Sequence, residues 1–163
     1  MRLWYYELLP CLPELQFKGQ LRELVVIMHD WRDKGHTNHL LINKVMEYDK
    51  KHLTSYFLRY NEEYNRRYGK EIDKKIYWEF LNFADYEMGK DYKLSPANGI
   101  DIVSIRLVKN IFDGWHTKEY LRSNMANLWE KHFMGVGKSR ISDEEWETLL
   151  RGYKEITGEE YVI

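Results

Sequence analysis

The chain reads as mainly α-helical, a compact single-domain bundle of five or six helices. Three observations predict this. Apolar residues recur at three- and four-residue steps through several long segments, capping residues and glycines punctuate those segments, and no stretch alternates convincingly with period two. A hydrophobic content of 44%, with 15% aromatic, excludes a disordered chain. At 163 residues the length suits one domain, able to bury about 70% of the surface its unfolded form exposes.

Pro13 suits a first helical turn, and Leu21, Leu24, Val25, Met28 and Trp31 then repeat at helical spacing until Gly35, which predicts a first helix over 13–34. A shorter helical piece is expected over 38–46. Asp49 is a good N-cap for a long helix with the stripe Leu53, Tyr56, Phe57, Tyr60 and Tyr64, stopped near Gly69. Residues 72–88 carry Ile76, Tyr77, Phe80, Leu81 and Ala84 on one face, and a turn is expected over 95–99. Asp101 can cap a helix over 102–112, and Thr117 one over 118–133 with Tyr120, Leu121, Met125 and Leu128 inward. Ser142-Asp143-Glu144-Glu145 forms a capping box that opens the last helix. The Gly- and Lys-rich connection over 131–140 is expected to be the most mobile.

The longest purely apolar stretch, Leu24 to Met28, is far too short to span a membrane, and Met1-Arg2-Leu3-Trp4 does not open a secretory leader, so a cytoplasmic protein is expected. Cys11 is the single cysteine; it excludes an internal disulfide and a thiolate metal cluster, and reads as a small core residue. The formal net charge of −1 hides an asymmetry: residues 142–163 hold 2 Lys/Arg against 7 Asp/Glu, while residues 1–141 hold 23 against 19. That distribution permits a basic face for phosphates, although mixed charges of this kind usually belong to solvated helix faces.

A Walker-type phosphate loop, a dinucleotide fingerprint and a His-Glu-x-x-His pair are all missing, which excludes the corresponding enzyme classes. His36 and His39 are three apart and could share a metal on a helical turn, but no third ligand stands at recognisable spacing, and hydrogen-bonding histidines are the simpler reading. No cofactor is expected. Glu23 shares its helix face with Gln16, Gly19 and Gln20. A mid-helix glycine costs about 1 kcal/mol relative to alanine, and it points either to a close helix–helix contact or to a molecule that approaches the backbone.

The opening Met1-Arg2-Leu3-Trp4, the run Gly19-Gln20-Leu21-Arg22-Glu23 and the segment Gly35-His36-Thr37-Asn38-His39 stand in register over about 70 residues. In that order and spacing they resemble the pyrimidine-dimer DNA glycosylases, of the phage endonuclease V type and its bacterial relatives. The likeness divides the chain into a glycosylase-like half over 1–74 and a divergent helical half over 75–163 with an acidic C-terminal helix.

The resemblance implies a DNA-repair glycosylase with AP-lyase activity on damaged pyrimidines, cyclobutane dimers in particular. Its nucleophile would be the amine of the first residue, which keeps a neutral fraction near pH 7 because an ordinary α-amine titrates at about 7.7–8.0 and a lysine near 10.4. Arg2 is too bulky for initiator removal, so Met1 would carry that amine, and Glu23 would stabilise the cationic sugar and manage the protons. Arg2, Arg22 and His39, with Lys44, Lys50 and Lys51, would hold the DNA, helped by Arg59, Arg66, Arg67, Lys138 and Arg140. The arginine expected one turn after Glu23 is replaced by Val26, and Trp4, Tyr5 and Tyr6 are the candidates for base stacking. The partner is double-stranded damaged DNA, and a monomer is expected. Two other readings stay open: a non-catalytic DNA-binding module of the same fold, and a metal-dependent hydrolase built on His36 and His39.

Overall fold

Side chains that accept from the otherwise unpaired N–H groups of a first turn open four of the five α-helices among the described residues. Asp49 takes the N–H of Lys51 at 2.9 Å, Asp73 that of Lys75 at 2.8 Å, Thr117 that of Tyr120 at 3.2 Å and Ser142 that of Glu145 at 3.1 Å. The reciprocal Glu145 contact to the Ser142 N–H completes the expected capping box. The helices are α1 (Glu14–Lys34), α2 (Lys50–Tyr68), α3 (Lys74–Phe83), α4 (Lys118–Phe133) and α5 (Asp143–Thr157). Short 3-10 turns cover Tyr6–Cys11, Ile42–Glu47 and Gly137–Ser139. The structure, a computed structural model, describes residues 1–87, 93–95, 99–101 and 107–163.

The helical class and the starts of α2, α4 and α5 are as the sequence predicts, and Gly69 ends α2 in the left-handed region at φ 65°. The stretch after α3 differs. Lys93–Ser95 and Gly99–Asp101 pair as antiparallel strands, with Leu94 opposite Ile100 and Asp101 the last residue of the second. Strands of three residues are too short to display a period-two pattern, which is why the pair is invisible in the sequence. The helix expected over 102–112 is absent from its described part, 107–112, and residues 102–106 lie outside the described residues, as do Met88, the turn positions 96–98 and the Lys138 side chain.

The described residues group into two units. One contains Met1 and Leu24–Phe112. At its centre α2 buries Leu53, Tyr56, Phe57, Leu58 and Tyr60, and the Phe57 and Phe80 rings stack at 4.0 Å, joining α2 to α3. The Thr54 hydroxyl donates to the Phe80 carbonyl at 2.8 Å, which satisfies a polar group buried between the helices. Phe112 holds a left-handed φ of 53°, a cost of about 1 kcal/mol for a residue with a side chain. Its N–H donates to His52 Nδ1 at 2.9 Å and its ring stacks on the same imidazole, and these contacts hold the conformation.

The other unit contains Arg2–Glu23 and Asp113–Ile163. Here α5 presents Trp146, Leu149, Gly152 and Tyr153 at helical spacing to the 3-10 turn Tyr6–Cys11 and to α4. Gly152 has a packing reason, since a Cβ there would sit 2.2 Å from Cys11 Sγ. Carboxylates of the acidic C-terminal segment make exposed ion pairs within this unit, Glu159 with Lys118 and Glu160 with Lys154, each at 2.7 Å. The connection after α4 is tied down by several bonds, among them Ile141 N–H to the Lys131 carbonyl at 3.2 Å and Arg140 Nε to the His132 carbonyl at 3.2 Å. No helix among the described residues is long and apolar enough to cross a membrane.

Candidate active site

The first residues of the chain form no helix and pair with no strand, so their backbone polar groups must find partners elsewhere. Side chains supply them. Along the edge that meets α1, the Arg2 N–H donates to Glu23 Oε2 at 3.1 Å, the Arg2 carbonyl accepts from Gln20 Nε2 at 2.8 Å, and the Trp4 N–H donates to Gln20 Oε1 at 2.9 Å. Gln20 therefore presents a donor and an acceptor to one extended segment, as a neighbouring β-strand would. On the opposite edge the Leu3 carbonyl accepts from the Tyr120 hydroxyl, the Tyr5 N–H donates to Asn124 Oδ1 at 2.7 Å, and the Tyr6 N–H donates to His116 Nδ1 at 3.2 Å. Residues 2 and 4 turn to α1 while residues 3 and 5 turn to α4, the alternation expected of an extended backbone.

Glu23 sits on the half-buried face of α1, three residues after Gln20, where a helix brings side chains together. Its Oε2 takes the Arg2 N–H and, at 3.4 Å, a long contact from Gln20 Nε2. Among the described residues no hydrogen bond reaches its Oε1. The Arg2 guanidinium lies 4.9 Å above the Trp4 ring, since side chains two apart in an extended segment share a side.

Burial decides among the aromatic candidates. Trp4 is 5% exposed and Tyr6 8%, so both belong to the packed interior and neither can stack on a base; Tyr5 is half-buried. His116 is enclosed by the rings of Tyr5, Tyr6, Trp115 and Tyr120, and this burial pushes its imidazole down to about 3. The ring is neutral at ordinary pH. Burial likewise raises the Tyr120 hydroxyl above its usual range, which keeps it a donor.

Gly19 needs a different account from the helix contact its position suggests. A Cβ there would meet only the Arg22 guanidinium of the same helix, at 3.8 Å, so among the described residues no packing demands glycine. Arg22 itself is exposed, and so is Val26, at 42%. Met1, the residue before Arg2, is 39% exposed.

Of the remaining expected DNA contacts, Lys138 and Arg140 fall in the unit of Arg2–Glu23 and Asp113–Ile163, and the others in the unit of Met1 and Leu24–Phe112. His39 and Lys44 are exposed at the turn that follows α1. That turn is pinned by buried Thr37, whose N–H donates to Asn43 Oδ1 at 2.7 Å and whose hydroxyl accepts from the His39 N–H at 3.1 Å. Lys50 lies over the Phe83 ring at 5.1 Å and Lys51 over the Tyr86 ring at 5.0 Å, so both ammonium groups already have cation–π partners. Arg66 and Arg67 both pair with Glu63, which is only 6% exposed. Among the described residues no group of three or more His, Cys, Asp or Glu side chains is gathered to hold a metal, His36 and His39 included.

Sequence reasoning took Gln20 only as a member of the Glu23 face and Tyr120 only as an inward residue of its helix, and it missed Asn124 and His116 entirely. One signal was available: Asn124 interrupts the apolar stripe of Leu121, Met125 and Leu128, and a polar residue at a core position of a helix needs a buried partner.

A helical protein that clamps its first backbone amides by side chains and sets a helix carboxylate against the first of them has the parts for chemistry at its amino terminus. Comparison with family models finds one likeness: residues 1–76, just under half of the chain, are similar to pyrimidine dimer DNA glycosylase. The matched region holds Arg2, Gln20, Arg22 and Glu23, and the resemblance read from the three short motifs is thereby shown over that stretch. Tyr120, Asn124 and the rest of 77–163 lie beyond it. Comparisons with curated proteins and with solved structures give no match.

Proposed function

We propose that the protein is a DNA glycosylase with AP-lyase activity, acting on duplex DNA that carries damaged pyrimidines, with the Met1 amine as nucleophile and Glu23 as proton carrier and electrostatic partner. The observation that carries this reading is the bond from the Arg2 N–H to Glu23 Oε2 at 3.1 Å. It brings the carboxylate to an N–H one peptide bond from Met1, and the similarity over 1–76 supports a glycosylase reaction.

The neutral amine attacks C1′ of the damaged nucleotide and forms a C–N bond as the glycosidic bond breaks, and the base leaves with that electron pair and takes up a proton. Loss of the amine protons and opening of the sugar ring give an imine between the Met1 nitrogen and C1′. Abstraction of a C2′ proton then sends electrons into the C2′–C3′ bond, and the 3′ phosphate departs, which breaks the strand. Glu23 serves by balancing the positive charge that develops on the sugar and by carrying protons between the amine, the ring oxygen and C2′. Arg2 and Arg22 hold phosphates beside the reacting nucleotide. His39, Lys44, Lys50 and Lys51 are further phosphate-binding candidates, and phosphate contacts position a duplex without reading sequence, which suits recognition of a distorted, flipped-out lesion.

Borohydride trapping tests the reading. Incubated with duplex DNA containing an abasic site or a cyclobutane dimer, the protein should yield a covalent adduct and a β-eliminated strand, and Glu23→Gln should slow both by about 10²–10⁴-fold. Absence of any adduct and of any cleavage with the unaltered chain refutes the assignment. Strand cleavage undiminished in Glu23→Gln removes Glu23 from the reaction.

A further inference from the structure

The clamp around the first residues has two edges, and only one of them belongs to the region that matches the glycosylase family. The other is built by α4, more than a hundred residues away in sequence. We propose that Tyr120 and Asn124 are positioning residues for the reaction, holding the N-terminal segment in the register that sets the Arg2 N–H on Glu23. This rests on the function proposed above and assigns a task in it to the half of the chain outside the family match.

Three observations carry it. Asn124 is 2% exposed among Leu121, Met125 and Leu128, a place where an amide is costly unless its partners are supplied, and its Oδ1 is occupied by the Tyr5 N–H at 2.7 Å. The Tyr120 hydroxyl donates to the Leu3 carbonyl, and Leu3 is fully buried, so that carbonyl has no access to water as a substitute. Finally, Gln20 and Glu23 bond residues 2 and 4 on one edge of the extended segment, and α4 bonds residues 3 and 5 on the other. A slip of one residue would turn Arg2 away from Glu23, because successive residues of an extended chain face opposite ways. The bonds at Leu3 and Tyr5 oppose that slip.

The test uses the full chain and the rate of borohydride trapping on duplex DNA with an abasic site, measured in single turnover at saturating protein, together with the protein concentration giving half that rate. Tyr120→Phe removes one oxygen and leaves the ring in place; Asn124→Ala is the more severe companion. For Tyr120→Phe the maximal rate should fall about 10- to 100-fold, the cost of a small misplacement of reacting groups. The half-saturating concentration should stay within about twofold, as phosphate contacts are untouched. Amide exchange at Trp4 and Tyr5 should quicken in both variants while exchange in α2 does not. A Tyr120→Phe protein that traps at the unaltered rate overturns the proposal, as does one whose rate, half-saturation and α2 protection all decline together, which would mark a general structural role. If the unaltered protein traps nothing, the Met1 and Glu23 reading is what fails, and this assignment falls with it.

Discussion

Replacing Gln20 with leucine keeps the bulk of the side chain and deletes its two polar ends. The site is fully buried, so no water takes their place. The Trp4 N–H, on a residue 5% exposed, loses its 2.9 Å acceptor, and an unsatisfied buried donor costs about 1–3 kcal/mol. The Arg2 carbonyl loses its 2.8 Å donor, but Arg2 is half-buried and its carbonyl can recruit solvent, so the ordinary net value of about 0.5–1.5 kcal/mol applies there. The contact at 3.4 Å to Glu23 is too long to add much. The expected loss is about 2–4 kcal/mol, a large share of the roughly 5–15 kcal/mol that holds a domain of this size. Urea denaturation followed by tryptophan fluorescence measures it, with the slope of the transition compared between variants to confirm that the same surface is exposed. A Gln20→Leu protein within about 0.5 kcal/mol of the unaltered chain, the ordinary scale for a surface substitution, refutes the reasoning, because the amide would then have no buried backbone to satisfy. Gln20→Glu is the sharper companion: protonated, it can still donate to the Arg2 carbonyl, so its deficit should shrink as pH falls.

Gly152→Ala places a methyl 2.2 Å from Cys11 Sγ and should cost about 1–3 kcal/mol, part of which Cys11→Ala restores; a double-mutant cycle in urea that shows no coupling would contradict the packing. His116 titrates at 6.5 in the unfolded chain and is pushed down to about 3 by burial, so its neutral form stabilises the fold fully above 6.5 and that stability is lost as pH falls toward 3. Between pH 7 and pH 5 the loss should reach roughly 2 kcal/mol, and His116→Asn, which can still accept from the Tyr6 N–H but does not titrate, should flatten the profile. Gly19→Ala adds a methyl whose nearest neighbour is Arg22 at 3.8 Å and should stabilise α1 by about 1 kcal/mol, so a lower melting temperature would reveal a contact the structure does not have.

The starts of α2, α4 and α5 and the end of α2 could be read directly, since Asp49, Thr117, Ser142 and Gly69 act on backbone groups within three or four residues. The three motifs that pointed to Arg2, Arg22 and Glu23 were legible for a related reason: each is a short run with its own spacing, and the family match covers them all. The buried face of α1 was harder. Leu24 and Met28 of the predicted stripe are at 0% exposure, yet Gln20 and Ile27, outside it, are at 0% as well, while Leu21 and Val25 are only half-buried. A polar side chain goes inside when a backbone waits there to bond it, and helical periodicity carries no record of that backbone. The same holds for Tyr120 and Asn124, whose partners stand at separations of 117 and 119 residues. By itself the sequence determined where α2, α4 and α5 begin and where α2 ends, because a cap acts on neighbours along the chain, and it offered Met1 and Glu23 for the proposed chemistry. Only the tertiary structure decided how the first amides are held, because each of those bonds joins groups that local sequence keeps apart and folding alone brings together.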